Sequence, residues 1–501
     1  MSTLSNRVQN TLAIDPTSIA IKWSDESFTW DQISKTIESI ESLLGEFRGL
    51  KRVAVGVMMR NRPACVAAIA DSIVNERCLV TLSPLTSDLA LSNDVKGLGL
   101  HAILADPDDL ARPGVLDAAL ESGATVIEMS SVRGLAVRVV HEGSAKRMAR
   151  LRQGVALEML TSGTTGPPKR IPLRVENLEF SLAGDKGSPN SDESSNLRLQ
   201  SSPALIWHPL AHISGAYFVI DALYSGRPVV LLERFDAVTW ADLVEGEGVR
   251  VGQLNPTAMR MILDANIAPE KLSSLKVIRG GTSATSPELQ TAFERRFGVP
   301  VLTTYGATEF AGAIAGWTIE DHKEFADSHL GASGRAHPGV ELRVVNVDTG
   351  DVLDTGVEGV LEVRISQAAK KTSAWVRTND LAILDNEGFL WVRGRVDDVI
   401  VRGGFKVHAD KIVSVLEEHA EVKEAAVIGL SDSRLGAVPV AAVVLELDSS
   451  LSVPELFSFA RSRLAKYEVP RDIVVVDELP RTHSMKVSRP ALRKLFEKQS
   501  F

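Results

Sequence analysis

The segment Thr161-Ser-Gly-Thr-Thr-Gly-Pro-Pro-Lys169 follows the apolar run Val155 to Leu160. Thr161, Ser162, Thr164 and Thr165 supply four hydroxyls, Gly163 and Gly166 supply backbone freedom, and Lys169 closes the segment with a cation. A strand-to-loop transition of this composition suits polyphosphate. Glycines let backbone amides converge on phosphate oxygens, and the hydroxyls and ammonium add donors and charge. It is not a Walker loop, because the four-residue spacing and the Gly-Lys-Ser/Thr ending are absent. The plain alternative is a Ser/Thr/Gly surface turn, but few such turns follow a buried strand and end in Pro-Pro-Lys.

Other residues carry chemistry with less specificity. Thr308-Glu309, after Tyr305-Gly-Ala, could equally open a helix with an acidic first turn. Asp380 alone would pass for a turn residue and Arg395 for a surface charge. The stretch Arg481 to Lys498 holds six basic residues against one acidic, which composition alone would assign to a solvated tail. His208 and His212 lie in Trp207-His-Pro-Leu-Ala-His-Ile-Ser-Gly215, where His208 could simply cap a loop. Gly97-Leu-Gly-Leu-His-Ala102 spells a dinucleotide fingerprint, but it follows a helical pattern and precedes a strand, the wrong order for that turn. No His-Glu-x-x-His, paired Cys-x-x-Cys or Gly-x-Ser-x-Gly motif supports a zinc or serine hydrolase.

The elements needed to hold these residues are legible as texture. Strand-like runs at Arg52 to Met59, Cys78 to Leu82, His101 to Ala105, Thr125 to Met129, Arg227 to Leu232 and Lys276 to Arg279 alternate with helical periods such as Pro63 to Val74. Continuous Val/Ile/Leu runs separated by helices predict sheets covered on both faces. From Val340 to Arg364 and from Leu381 to Arg393, alternating strands and Asp/Gly turns predict a small antiparallel sheet or distorted barrel. After Arg395 come a strand at Val399, a helix from Asp410 to Glu418, strands at Glu424 and Val438 and a helix from Pro454 to Leu464. The expected architecture is therefore α/β. A large N-terminal domain of helix-covered sheets with a β-barrel-like subdomain (1–396) is followed by a small α+β domain (397–501), with Asp397-Asp398 as the expected hinge between them. Gly184 to Asn196 is expected to be a mobile surface loop.

The chain has 501 residues, 44% hydrophobic and 24% charged, with a net charge of −9. An acidic chain has no electrostatic reason to seek nucleic acid or anionic lipid. Its two cysteines, Cys65 and Cys78, cannot staple a chain this long, which favours a reducing compartment. No apolar run reaches the ~18 residues that span a bilayer, and the N-terminus is polar. A cytoplasmic enzyme is the expected class.

Five segments in order resemble the adenylate-forming superfamily, and within it the acyl- and aryl-CoA ligases such as 4-chlorobenzoate and 4-coumarate CoA ligases. They are Thr161 to Lys169, Tyr305 to Glu309, Asp380 with Gly394-Arg-Val-Asp-Asp-Val-Ile-Val-Arg-Gly-Gly-Phe-Lys406, Tyr467-Glu-Val-Pro, and Pro480-Arg-Thr-His-Ser-Met-Lys486. The resemblance implies ATP, Mg²⁺ and coenzyme A, with an acyl-adenylate and pyrophosphate formed before a thiol displaces AMP. It makes Thr161 to Gly166 and Lys169 the phosphate loop, and Gly281, Thr282 and Ser283 the segment beside adenine. Tyr305 and Gly306 fall at the nucleotide. Thr308 would hold the α-phosphate and Glu309 the Mg²⁺, a hard cation suited to carboxylate oxygen. Asp380 and Arg395 would take the ribose.

Lys486 would bridge the substrate carboxylate and the α-phosphate. His212 would gate an acyl pocket lined by Gly215, Ala216, Gly280, Gly306 and Ala307, whose smallness suggests space that neighbours could also fill. Gly403-Gly404 would flank the pantetheine arm, and Asp397 would be the hinge about which a mobile C-terminal domain turns between half-reactions, a mobility that the resemblance implies. Two departures stand out: Met485 where the family usually has Gly, and Asn379 within the usual Thr-Gly-Asp. No aspartate matches the one that holds the ammonium of amino acid substrates. An aromatic, alicyclic or fatty acid is expected instead. An acyl-adenylating enzyme that loads an acyl carrier protein shares every motif. A degenerate nucleotide-binding homologue is the remaining alternative.

Overall fold

The computed structural model describes residues 2–44, 47, 50–131, 134–143, 151–161, 169–184, 197–281, 283, 285–365, 374–396, 399–402, 405–432, 434–482 and 485–499. The chain divides into two compact units, one ending at His322 and one beginning at Lys323.

Strands buried on both faces need apolar residues throughout, and Ala54–Met58, Cys78–Leu82 and Ala102–Ala105 are buried at every position. They sit in a seven-stranded sheet ordered Ala136–His141, Thr125–Ser130, Ala102–Ala105, Ala54–Met58, Cys78–Leu82, Val155–Thr161, Lys169–Arg174. The two edge strands are antiparallel to their neighbours, and the inner five are parallel. From Ala54–Met58 the chain goes first to one side of that strand and then to the other, so the crossover helices fall on opposite faces. Val55 and Val57 share a core with helix Pro63–Val74, whereas Ala54 and Met58 share one with Leu91 and Val95 of helix Asp88–Gly97. That helix precedes strand Ala102–Ala105, the order that excluded a dinucleotide turn at Gly97 to Ala102.

Two further sheets complete the first unit. Ala204–Ile206, Val229–Leu231 and Ile19–Trp23 run parallel, with Glu26–Thr29 antiparallel at the edge. Val251–Leu254, Val277–Gly280 and Val301–Ala307 run parallel, and Gly312–Gly316 returns antiparallel. In each, residues flagged by sequence lie at or just after the carboxyl ends of parallel strands, where α/β sheets leave their crevices.

The second unit contains a sheet of four antiparallel strands ordered Val340–Val345, Gly359–Ile365, Val376–Leu384, Leu390–Arg395. Beyond them, Val422–Asp432 and Gly436–Leu445 form a long antiparallel pair. Val399–Arg402 and the parallel strand Asp472–Val475 join the latter strand. Alternate residues of the pair divide between two cores. Val427, Ala441 and Val443 pack with helices Ala409–Glu417 and Val453–Arg463, and Ile428, Val440 and Ala442 pack with Leu492 and Phe496 of helix Arg489–Gln499.

Candidate active site

In the first unit, Thr161 and Lys169 are register partners at the facing ends of two antiparallel strands, so residues 162–168 connect a strand pair. Lys169 is exposed. Its neighbour Arg170 anchors the pair, donating to Asp94 at 2.7 Å and to the Thr81 carbonyl at 3.1 Å. Ser162, Gly163, Thr164, Thr165 and Gly166 lie outside the described residues, as do Thr282, Asp397, Gly403, Gly404 and most of the Gly184 to Asn196 segment.

Strand Val277–Gly280 delivers Gly280 and Gly281, and strand Val301–Ala307 delivers Tyr305, Gly306 and Ala307 beside them. Thr304 Oγ1 donates to the Gly280 carbonyl at 3.1 Å, tying the strand ends together. A Cβ on Gly281 would lie 2.9 Å from that Oγ1, and Ser283 is exposed beyond it. At Gly306 a Cβ would lie 2.2 Å from the Gly312 carbonyl oxygen and 2.8 Å from Ala313 Cα, so backbone demands glycine there. The ladder shifts register between Tyr305 and Gly306, and Ala307 then pairs with Gly312. Thr308–Phe310 is a 3-10 turn closed by Ala311 at φ 63°. The helical start with an acidic residue thus exists, as one short turn. It leaves Glu309 exposed, without an ion pair among the described residues.

The third parallel set leads from strand Ala204–Ile206 through Trp207 to His212 into helix Ile213–Ser225. His212 is the N-cap residue by backbone, accepting the Ala216 amide at 3.1 Å on its carbonyl, and makes no side-chain cap. His208 is buried and stacked on Trp207, ring centroids 3.9 Å apart, with Nδ1 unpartnered among the described residues. Burial, with His212 nearby, holds its imidazole down to about 3, so it is neutral at physiological pH. Gly215 faces backbone as Gly306 does: a Cβ would lie 2.3 Å from the Pro209 carbonyl oxygen. At both positions neighbours fill the space. Ala216 is fully buried, whereas Gly280 has its nearest atoms at 3.4 Å, room for a methyl group.

In the second unit, Asp380 and Arg395 are register partners on adjacent strands, Arg395 Nε 3.7 Å from Asp380 Oδ1. Thr378 Oγ1 accepts the Asp380 amide at 3.1 Å and donates to the Leu361 carbonyl at 2.8 Å, fixing the strand beside the carboxylate. Lys486 stands near both charges. Its surface is exposed, yet burial of its ammonium holds it below the usual lysine range, with Arg395 repelling it and Asp380 opposing. Burial and the same Arg395 also lower half-buried Arg489. Arg395 is thus the charge that Asp380, Lys486 and Arg489 each feel, and two further cations beside an Asp–Arg pair suit an anion such as phosphate.

The hairpin that presents Lys486 is tightly bonded. Thr482 N–H donates to the Lys486 carbonyl at 2.7 Å, and Met485 N–H to the Thr482 carbonyl at 2.9 Å. Arg481 donates to the Met485 carbonyl at 2.9 Å and to both oxygens of Glu424 at 2.5 Å. Met485 has φ 66°, a left-handed conformation that favours glycine.

Sequence reasoning missed Arg489 as an individual, although it lies in the basic stretch from Arg481 to Lys498. It also missed Asn61, whose only local signal is an amide at a strand's carboxyl end between two arginines.

Strand ends that present glycines and hydroxyls in one unit, and a carboxylate paired with arginine in the other, are features of a nucleotide-handling α/β enzyme. Residues 8–371 match the AMP-binding enzyme family and residues 411–486 the AMP-binding enzyme C-terminal domain; the chain belongs to the AMP-binding enzyme family. It is 28% identical over 514 residues to a 2-succinylbenzoate–CoA ligase of Bacillus cereus, covering 99% of this chain and 100% of that one. It is likewise 28% identical over 520 residues to an indoleacetate–CoA ligase of Aromatoleum aromaticum, covering 99% of each. The structure of o-succinylbenzoate CoA synthetase (MenE) from Bacillus subtilis in complex with the acyl-adenylate OSB-AMP matches with a TM-score of 0.76 at 25% identity, covering 97% of this chain and 98% of that one.

Proposed function

We propose that the chain is an ATP-dependent carboxylic acid–CoA ligase: acid, ATP and CoA give acyl-CoA, AMP and pyrophosphate through an acyl-adenylate. The observation that carries this is the Asp380–Arg395 pair held level in one ladder, in a chain similar over nearly its whole length to acid–CoA ligases. A carboxylate is a poor electrophile. Its oxygen attacks the α-phosphorus, the bond to the bridging oxygen breaks, and pyrophosphate leaves. The thiol sulfur then attacks the acyl carbon, losing its proton to solvent, and AMP departs. Little covalent chemistry falls to the protein, so positioning and charge stabilisation supply the rate.

In this reading Lys486 neutralises charge where carboxylate and α-phosphate meet, Asp380 accepts from the ribose hydroxyls, and Arg395 and Lys169 add positive charge. Thr308 donates to the α-phosphate. Glu309 fits Mg²⁺, being an exposed carboxylate with no ion pair among the described residues; the ion would neutralise phosphate charge when bound. His212, Gly215, Ala216, Gly280 and Ala307 would border the acid. The substrates of the two curated relatives favour an aromatic or arylalkanoic acid. The domain from Asp397 would turn after adenylation, bringing the thiol past Gly403 and Gly404. A cytoplasmic location accords with two free, buried cysteines whose thiols burial pushes up to about 12. No helix among the described residues is long and apolar enough to cross a membrane.

The test is pyrophosphate release from ATP and Mg²⁺ over aromatic, alicyclic and fatty acids, with and without CoA. Acid-dependent release that becomes multiple-turnover with CoA and yields an acyl-CoA is the expected result. Release limited to about one turnover and unmoved by CoA would replace CoA with a carrier-protein thiol. ATP binding with no turnover on any acid would replace the ligase with a degenerate homologue.

A further inference from the structure

Asn61 is buried, 6% exposed, just past the carboxyl end of strand Ala54–Met58. Its Nδ2 lies 3.1 Å from the Trp207 carbonyl, 3.0 Å from that of His208 and 3.0 Å from that of Leu232. Its Oδ1 accepts the Leu210 amide at 2.9 Å. Two amide hydrogens serve three carbonyls and the oxygen takes one amide, so both ends of the side chain are engaged by two distant backbone segments. Its neighbours fasten further strand ends. Arg60 makes two bonds to Asp109, at 2.7 and 2.8 Å, and Arg62 pairs with Asp106 at 2.8 Å and Glu233 at 3.2 Å.

The segment clasped by Asn61 lies outside regular secondary structure, its rings packed Trp207 on Phe235 at 4.7 Å and His208 on Phe218 at 5.2 Å between centroids. Parallel pairing ends at Ile206, and helix Ile213–Ser225 begins only after His212. Between them, Trp207 Nε1 donates to the Gln253 carbonyl at 2.9 Å and the His212 amide to the Pro209 carbonyl at 2.9 Å. From the other side, Gly215 allows the helix to press on the Pro209 carbonyl. None of the Asn61 bonds reaches a residue read as nucleotide-binding.

We infer that Asn61 is a positioning residue for the acid half of the reaction: by clasping residues 207–210 it sets the path that delivers His212 and the start of helix Ile213–Ser225. This rests on the reading of His212 beside the substrate acid. The clasp acts on the acid and not on ATP, because the phosphate loop is carried by a separate strand pair, Val155–Thr161 and Lys169–Arg174.

The test compares full-length wild type with Asn61→Ala, the milder Asn61→Ser and, as reference, His212→Ala. Acid is titrated at saturating ATP and ATP at saturating acid, and amide exchange is followed across residues 207–215. In the Asn61 variants the acid KM should rise on the order of 10-fold and the ATP KM stay within about 2-fold, with faster exchange at Leu210. Equal changes in both KM values, or faster exchange with an unchanged acid KM, would overturn the inference. Failure of Asn61→Ser to fold would assign the clasp to fold stability and overturn it too. If His212→Ala shifts the acid KM and the Asn61 variants do not, the inference alone fails. If none of them shifts it, or wild type shows no acid-dependent turnover, the reading of the site fails as well.

Discussion

Arg395 Nε lies 3.7 Å from Asp380 Oδ1 because the two residues are partners in an antiparallel ladder, so the backbone holds their opposite charges level. Both are partly exposed, and the pair itself is worth no more than about 1 kcal/mol. Its consequence is electrical. After burial, Arg395 is the main influence lowering Lys486, and Asp380 is the opposing one.

A lowered lysine loses its proton at a lower pH than the ordinary value of about 10.4. Adenylation that needs the ammonium should therefore fall on an alkaline limb centred below that value. Asp380→Asn removes the group that raises Lys486 and should move the limb further down. Lys486→Arg should abolish it, since guanidinium stays charged. Lys486→Ala should slow adenylation by roughly 100-fold or more while sparing thioester formation from supplied acyl-adenylate. The pH profile of acid-dependent pyrophosphate release checks the first three, and separate half-reaction assays the fourth. A limb indifferent to Asp380→Asn would break the coupling.

Met485 occupies a left-handed backbone position one residue before Lys486. A non-glycine residue pays about 1 kcal/mol there, so Met485→Gly should raise stability by up to that amount in chemical denaturation. The hairpin bonds from Thr482 and Arg481 hold the strained geometry and should survive the change. A destabilised Met485→Gly would mean that the methionine side chain contributes more than its conformation costs.

Gly306 and Gly280 should respond differently to alanine. At Gly306 the added methyl meets fixed backbone at 2.2 Å, so the strand pair must shift, at a cost of roughly 1 to 3 kcal/mol. At Gly280 the nearest atoms are side chains at 3.4 Å, and stability should be nearly unchanged. Thermal melts of both variants separate the cases. If Gly280 borders the acid, its alanine variant should also change the order of preference among acids.

His208 couples stability to pH. Its folded pKa, about 3, lies below the ordinary histidine value, so the unfolded chain takes up a proton that the folded chain refuses. Stability from this group is intact above pH ~6.5 and falls by about 1.4 kcal/mol per unit as pH drops towards 3. His208→Gln removes the dependence. Between pH 7.5 and 5, wild type should lose roughly 2 kcal/mol more than the variant in denaturant titrations. Equal losses would show that His208 takes up its proton in the folded chain.

The five parallel strands of the seven-stranded sheet were legible because burial on both faces leaves mostly apolar residues, as in Ala54–Met58, and helix Pro63–Val74 because it starts at its own proline; the half-exposed edge strands Ala136–His141 and Lys169–Arg174 were not. The antiparallel pattern from Val340 was legible from alternation and turns. Of the candidate site, the segment Thr161 to Lys169 stood out by its own composition, whereas Asp380, Arg395 and Lys486 were picked out only by the order of family-like motifs, because a single charged residue carries no local signal of its role. What that reasoning could not reach was the cause of smallness at Gly215 and Gly306. Each faces backbone that arrives from another part of the fold.

The sequence by itself determined the buried strands, the main helices between them and the order of the motifs, because hydrophobic period and local chemistry are properties of neighbouring residues. Tertiary structure alone decided that Arg395 faces Asp380, that Met485 is left-handed, and that Asn61 clasps carbonyls 146 to 171 residues away. Such relations depend on ladder register and loop path. These are set by the packing of whole elements against one another, and no short window of sequence contains that information.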